Sequence, residues 1–241
     1  GAPLVLVHGG LWASGMFADL LPELAKHRQV IALDLQAHGR TADIDRPLSY
    51  EAMGDDIAGL IRHLGFEQAD VLGYSLGGGA ALRAAIQHPA LVQRLVLVST
   101  PFKRTGWFPE VLAGMESVGP QMAEAMRPTP MYAQYSAVAP RPQDWPVLLD
   151  KVGGCLRPDY DWSAEVAALT APTMLIYGDA DSISPAHAAQ FFALLGGGKR
   201  DGNWDGSGIS KHRLAILPGL THYTMFSSPA VVATATNFLS L

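Results

Sequence analysis

Short apolar runs separated by longer stretches of mixed polarity are the dominant pattern of this 241-residue chain. Each run is rich in Val, Ile and Leu, which is typical of a strand buried on both faces of a parallel sheet. The runs fall at 4–7, 30–33, 71–73, 95–98, 173–177 and 212–217. Because the stretches between them are too long for hairpins, the pattern predicts helical crossovers and a mostly parallel sheet with helices on both faces.

Several of the intervening stretches have recognisable helix boundaries. Ser49 is a good N-cap, apolar residues recur on one face after it, and Gly65 supplies a stop. Pro185 and Pro229 each follow a serine and predict the first turns of two later helices. The residues 17–24 also predict a helix. Strands and helices together indicate an α/β fold.

The alternation stops between residues 101 and 170. This stretch is rich in proline, methionine and aromatic residues and shows only scattered helical patches. We therefore predict an inserted cap of about three to five short helices above the carboxyl ends of the strands, with a core formed by 1–100 and 171–241. A second irregular stretch, 196–211, is rich in glycine and charge and predicts a surface loop without chemistry.

A glycine-flanked serine follows the third apolar run. In Gly73-Tyr74-Ser75-Leu76-Gly77 the strand ends, one serine follows, and an Ala-rich helical stretch begins at once. A sharp strand-to-helix turn of this kind presents the serine hydroxyl at the top of a sheet, and its glycines leave room for neighbouring backbone. The alternative is a plain Gly/Ser turn between two ordinary elements. The strand before it and the helix after it favour a nucleophile elbow.

Two aspartates and a histidine follow the last two apolar runs. Asp179 and Asp181 come after the fifth run and His222 after the sixth, so both loops share a sheet edge with Ser75. A serine hydroxyl is a weak nucleophile at neutral pH and needs a base, which in turn needs a group that orients it. Ser75, one of the aspartates and His222 supply those roles in this chain order.

The loop after the first run is the candidate oxyanion loop. Gly9 and Gly10 follow a buried strand and allow backbone N–H groups to approach a ligand closely. We expect one oxyanion donor at the N–H of Gly10, with Leu11 as the alternative, and the other at the N–H of Leu76.

Three further polar residues are interpreted as structural. His8 lies beside a glycine turn, where a histidine more often holds the loop by a hydrogen bond than performs chemistry. Asp34 and His38 suggest a metal or acid/base site, but a carboxylate at a strand end commonly caps the following turn.

These motifs resemble those of the α/β-hydrolase family over essentially the whole chain. The matching pieces are His8-Gly9-Gly10, Gly73 to Gly78, Gly178 to Asp181 and Gly219 to His222. The resemblance implies an α/β-hydrolase fold with Ser75 as nucleophile, His222 as base and Asp181, rather than Asp179, as the acid. Family members usually begin with an antiparallel hairpin, and three residues precede the first strand here. We therefore expect either a sheet that is short at one edge or a shortened chain.

Composition narrows the kind of partner. The formal net charge is −5 without a long Lys/Arg run, which argues against binding to nucleic acid or to anionic membranes. No apolar stretch approaches the roughly 18 residues that a membrane span needs. Cys155 is the one cysteine and has no partner for an internal disulfide. We expect a cytoplasmic monomer or homodimer, although a secreted, disulfide-free form is compatible with the sequence.

The predicted activity is that of a serine hydrolase. Such an enzyme would cleave a carboxylic ester of a small, largely apolar substrate through an acyl-enzyme, without a metal or organic cofactor. The expected pocket residues are Leu11, Trp12, Tyr74, Trp107, Met126, Tyr135, Ile183 and Tyr223. The same nucleophile also serves thioesters, lactones, amides and the carbon–carbon bonds of β-diketones. A non-catalytic ligand receptor on the same fold is the alternative from another class.

Overall fold

Six strands form one sheet in the computed structural model, which describes all residues from 1 to 241. They are β1 (Leu4–Val7), β2 (Val30–Leu33), β3 (Ala69–Tyr74), β4 (Val92–Val98), β5 (Thr173–Ala180) and β6 (Arg213–Thr221). They lie in the order β2-β1-β3-β4-β5-β6, and every neighbouring pair is parallel. The predicted α/β fold is confirmed. The order reverses between β1 and β3, which is where open parallel sheets bind ligands.

Helices surround this sheet. They are α1 (Leu21–Leu24), α2 (Tyr50–His63), α3 (Leu76–Gln87), α4 (Pro109–Glu116), α5 (Pro130–Val138), α6 (Trp145–Leu156), α7 (Ser163–Ala167), α8 (Pro185–Leu194) and α9 (Pro229–Leu239). Ser49 caps α2 by accepting the Ala52 N–H at 3.1 Å, and Gly65 follows that helix with a φ of 76°. The structure contains no helix with the length and apolar character that a membrane crossing requires.

The predicted helix over 17–24 is wrong in its extent. A 3-10 turn ends at Phe17, and α1 begins only at Leu21. The reason is Pro22, which has no N–H to donate and whose ring clashes with the carbonyl four residues earlier. A continuous helix therefore cannot pass through this position, and the proline lies in the first turn of α1 instead.

Apolar side chains pack against both faces of the sheet, and β1 shows the alternation directly. Val5 and Val7 belong to one apolar cluster with residues of α2, α3 and α8, whereas Leu4 and Leu6 belong to a second cluster with α1 and α9. Successive strand residues point to opposite faces, so a continuous apolar run supplies both layers. All four side chains are fully buried. The two apolar clusters, one on each face of the sheet, therefore fix the positions of the strand ends.

Residues 101–170, called the inserted segment below, join β4 to β5 through α4, α5, α6 and α7. Trp145 at the start of α6 is almost fully buried and packs against Tyr135, with 5.2 Å between ring centroids. Lys151 donates its ammonium to the carbonyl oxygen of Arg46 at 2.7 Å. The aromatic side chains of the inserted segment thus pack against one another within the apolar cluster that also contains α2 and α3, and Lys151 ties the segment to the loop that follows β2.

Candidate active site

Ser75 lies in the turn between β3 and α3 with an unusual backbone conformation. Its φ of 55° and ψ of −120° are rare for a residue with a side chain, and such strain persists only where the surroundings impose it. A Cβ at Gly73 would overlap the carbonyl oxygen of Gly77, and one at Gly77 would overlap that of His8. Glycine at both positions is what allows so tight a turn, and the Ser75 side chain lines a cavity there.

A chain of hydrogen bonds links Ser75 to residues from the loops after β5 and β6. His222 Nε2 lies 3.0 Å from Ser75 Oγ, and His222 Nδ1 lies 3.0 Å from Asp181 Oδ1. Because a carboxylate only accepts, Nδ1 has the proton, and Nε2 accepts from the serine hydroxyl. The exposed fractions of Asp181 and His222 are 5% and 8%. This is the geometry that a serine nucleophile, a base and an orienting acid require.

The two candidate aspartates have different surroundings. Asp181 faces His222, whereas Asp179 is exposed and its Oδ1 accepts the Gly219 N–H at 2.7 Å. Asp179 therefore ties the end of β5 to β6 and forms no hydrogen bond with His222. The geometry favours Asp181 as the partner of His222.

Two neighbouring hydroxyl groups hold this chain of residues in place. Ser99, directly after β4, has a φ of 51° and donates its hydroxyl to Asp181 Oδ2 at 2.5 Å. Tyr74 donates its hydroxyl to the carbonyl oxygen of His222 at 2.6 Å, and burial raises the pKa of Tyr74, so the donor proton is kept. Ser99 was not among the residues predicted from the sequence, because a serine directly after a strand is common and carries no signal of its own.

The loop after β1 offers one free N–H group. The Leu11 N–H donates to His38 Nε2 at 3.2 Å, whereas the Gly10 N–H has no hydrogen-bond partner within the chain. Leu76 is the first residue of α3, where N–H groups have no intrahelical acceptor. Gly10 and Leu76 both line the cavity at Ser75. The geometry therefore favours Gly10 over Leu11 as the second donor of an oxyanion hole.

His38 is a neutral, buried acceptor beneath this loop. Burial, reinforced by the His8 ring at 4.9 Å, lowers the pKa of His38 to about 3. Its Nδ1–H donates to the Gln36 carbonyl oxygen at 2.9 Å, which leaves Nε2 to accept the Leu11 N–H. Asp34 likewise accepts backbone N–H groups from two loops. These hydrogen bonds are all to backbone groups, as expected of residues that shape the loops.

A cavity of about 450 Å³ opens at Ser75 between the strand ends and the inserted segment. Its lining residues are Gly10, Leu11, Ser75, Leu76, Trp107, Glu110, Val111, Gly114, Met115, Val118, Val152, Leu156, Ser182, His222 and Tyr223. The volume and the mostly apolar lining are typical of sites for small molecules. No group of three or more His, Cys, Asp or Glu side chains is placed so that it could hold a metal ion.

Comparison with known proteins assigns the family. A profile of the alpha/beta hydrolase fold matches residues 2–237. The chain belongs to the alpha/beta hydrolase family. The match covers nearly all of the sequence, including the inserted segment and all three residues of the hydrogen-bonded chain.

Similar proteins are hydrolases with different substrates. The 2-hydroxymuconate semialdehyde hydrolase of Pseudomonas sp. (strain CF600) is 36% identical over 55% of this chain, and the match spans 48% of that relative, about half its length. The pimeloyl-[acyl-carrier protein] methyl ester esterase of Neisseria meningitidis is 29% identical over 77% of this chain and 76% of its own. The solved structure of E-2-(acetamidomethylene)succinate hydrolase has a TM-score of 0.75 at 24% identity, covering 100% of this chain and 93% of that one, which shows the fold alone. Together the family and these relatives support a hydrolase without naming the bond.

Three of the predicted pocket residues of this alpha/beta hydrolase line the cavity: Leu11, Trp107 and Tyr223. The other five do not line it: Trp12, Tyr74, Met126, Tyr135 and Ile183.

Each of these five side chains is held elsewhere. Trp12 packs against Phe226, with 5.3 Å between ring centroids, and Tyr74 is turned to the His222 carbonyl. Ile183 is fully buried. Met126 and Tyr135 pack into the large apolar cluster on the α2 and α3 side of the sheet.

The cavity wall is formed instead by residues that the sequence reasoning did not select. Val111 and Met115 are four residues apart on α4, Val152 and Leu156 are four residues apart on α6, and Val118 lies just beyond the end of α4. The four-residue interval places each pair on one helical face. That periodicity was the available signal, whereas residue type alone pointed to the wrong methionine.

Proposed function

We propose that this chain is a serine hydrolase that cleaves carboxylic esters of small, largely apolar substrates through an acyl-enzyme. The observation that supports this most is the hydrogen-bonded chain Ser75–His222–Asp181, with 3.0 Å at each step, at the mouth of an apolar cavity. A serine so placed has a base for its proton and a carboxylate that orients the base. In this proposal the inserted segment acts as a cap over the reacting ester.

The proposed cycle has two halves. Ser75 Oγ attacks the ester carbonyl carbon while His222 Nε2 takes the hydroxyl proton, and the N–H groups of Leu76 and Gly10 stabilise the oxyanion. His222 then gives this proton to the alcohol as the carbon–oxygen bond breaks. Water attacks the acyl-serine with His222 again as base, which releases the acid and restores Ser75. Asp181 stabilises the imidazolium in both halves.

The relatives support both the ester proposal and one alternative. The name of the methyl ester esterase of Neisseria meningitidis states ester cleavage, which fits a cavity with little polarity. The name of the 2-hydroxymuconate semialdehyde hydrolase describes a more polar substrate. The same serine, histidine and aspartate can cleave a thioester, lactone, amide or carbon–carbon bond, so we retain another bond as the second candidate.

The test is turnover of a series of aryl esters from acetate to octanoate, with the Ser75→Ala variant beside the unmodified chain. We expect hydrolysis by the unmodified chain and a fall of about 10⁴-fold or more in kcat for Ser75→Ala. The matched control is Ser182→Ala, because Ser182 lines the same cavity but is not bonded to His222.

Three outcomes would contradict the proposal. The first is that none of the esters is cleaved, and the second is that Ser75→Ala keeps full turnover. The third is covalent labelling of Ser75 by a fluorophosphonate without turnover of any ester, which would favour a ligand receptor on this fold.

A further inference from the structure

The cavity lining contains an acidic side chain but no lysine or arginine. Glu110, in the first turn of α4, is a lining residue, and no lysine or arginine lines the cavity. The Glu110 side chain takes part in none of the ion pairs of the structure and is exposed to solvent. The remaining polar lining side chains belong to Ser75, Ser182, His222 and Tyr223.

Nearby arginines are engaged with other groups. Arg104 forms ion pairs with Glu116 and with Asp159, and its Nε donates to the Leu156 carbonyl oxygen at 3.1 Å. Arg157 donates to the carbonyl oxygen of Val118 at 2.8 Å. Both arginines therefore hold the backbone of cavity-lining residues, and neither contributes a side chain to the lining.

An anionic substrate would meet three obstacles in this site. A carboxylate moved into an apolar cavity loses its hydration and finds no cation to replace it. The carboxylate of Glu110 repels it, and because Glu110 is exposed to solvent this repulsion is strongest at low salt. The chain as a whole has a formal net charge of −5, which disfavours the approach of anions.

We propose that this hydrolase selects its substrates by charge, accepting uncharged or cationic esters and rejecting those with a carboxylate, and that Glu110 determines this specificity. The inference rests on the ester hydrolase proposed above. Glu110 acts on substrate binding and not on bond cleavage, so its effect falls on the relative kcat/KM of differently charged esters.

The experiment compares three aryl esters of equal length whose acyl chains end in a methyl ester, a carboxylate or a trimethylammonium group. For the unmodified chain we expect kcat/KM of the methyl ester and the trimethylammonium ester to exceed that of the carboxylate by about tenfold or more at low salt. Raising the ionic strength should shrink the cation-over-anion ratio, because exposed charges are screened.

Variants assign the effect to one residue. Glu110→Gln should lower the cation-over-anion ratio about three- to tenfold, and Glu110→Lys should lower it further and bring the carboxylate ester closest to the neutral one. The control Glu124→Lys makes the same charge change as Glu110→Lys, but on an exposed residue of the inserted segment that does not line the cavity. It should leave the cation-over-anion ratio nearly unchanged. Thermal unfolding of each variant verifies that the fold is intact.

The two proposals fail in different ways. If no ester of the set is cleaved, the ester hydrolase itself is contradicted. If the neutral ester is cleaved but the carboxylate ester is cleaved as fast, the charge selection is contradicted while the hydrolase stands. If selection is present but Glu110→Lys changes it no more than Glu124→Lys does, the assignment to Glu110 is contradicted.

Discussion

The two walls of the cavity are built in different ways. On the strand-end side, hydrogen bonds join Ser75, His222, Asp181 and Ser99, each at 3.0 Å or less. The opposite wall, from α4 and α6, presents mainly apolar side chains such as Met115. Directional bonds determine where protons move, whereas apolar contacts determine only shape. Changes on the first wall should therefore lower kcat for every substrate, and changes on the second should alter preference among substrates.

The largest effect is expected on the strand-end wall, at Asp181. Asp181→Asn should lower kcat by about 10⁴-fold, because an amide in place of the carboxylate favours the wrong imidazole tautomer. Asp179→Asn is the matched control, since Asp179 binds the Gly219 N–H and not His222. Steady-state hydrolysis of one neutral aryl ester measures both. Equal losses in the two variants would show that His222 does not depend on Asp181.

The oxyanion loop gives the next largest effect. Gly10→Pro removes the free N–H and should lower kcat about 10²- to 10³-fold with little change in KM. Gly10→Ala keeps the N–H, and its Cβ would lie 3.5 Å from Leu76 Cδ1, an ordinary contact, so this variant should retain most activity. If Gly10→Ala lost as much as Gly10→Pro, side-chain volume rather than the N–H would be responsible.

A pH effect on stability should originate on the strand-end side. Folding lowers the pKa of His38 from 6.5 to about 3. Below pH 6.5 the unfolded chain therefore binds more protons than the folded chain, and the free energy of unfolding decreases as the pH is lowered. Lowering the pH from 6.5 to 5 therefore costs about 1.6 kcal/mol of stability, roughly a 16-fold change in the unfolding equilibrium. Urea unfolding at several pH values measures this loss of unfolding free energy. His38→Gln should lose less stability between pH 6.5 and 5 by that amount, whereas the control His63→Gln, at an exposed site, should lose as much as the unmodified chain. An unchanged slope in His38→Gln would contradict a buried neutral imidazole.

The smallest effect is expected on the apolar wall. Met115→Ala should enlarge the cavity and change kcat/KM about three- to tenfold in favour of longer acyl chains, with kcat for acetate nearly unchanged. Met126→Ala is the matched control because Met126 does not line the cavity. The ester series from acetate to octanoate measures the preference. A shift of equal size in both variants would mean that the wall described here does not contact the acyl chain.

The difference between the two walls also explains which parts of the site could be predicted from the sequence. Strand ends follow from apolar runs, and parallel strands bring their carboxyl ends to one edge, so the approach of Ser75 and His222 was predictable from chain order. The choice between Asp179 and Asp181 rested on resemblance, because two residues at one strand end differ only in the direction of their side chains. Ser99 gave no signal, since a serine after a strand is common.

The inserted segment was less predictable because its short helices pack against one another through contacts that no local period specifies. Met115 and Met126 are the same residue type in the same segment, yet only the first lines the cavity. The helix predicted over 17–24 was wrong for another reason. Apolar residues alone predicted it, but Pro22 restricts the helix to Leu21–Leu24.

The central claim is that Ser75 becomes acylated during ester hydrolysis, and mass spectrometry of rapidly quenched enzyme tests it most directly. Mixed with a neutral aryl ester and quenched in acid within milliseconds, the chain should gain the mass of one acyl group, and peptide mapping should place it on Ser75. Ser75→Ala should show neither the adduct nor turnover. An adduct on another residue, or turnover by Ser75→Ala at the rate of the unmodified chain, would contradict the account.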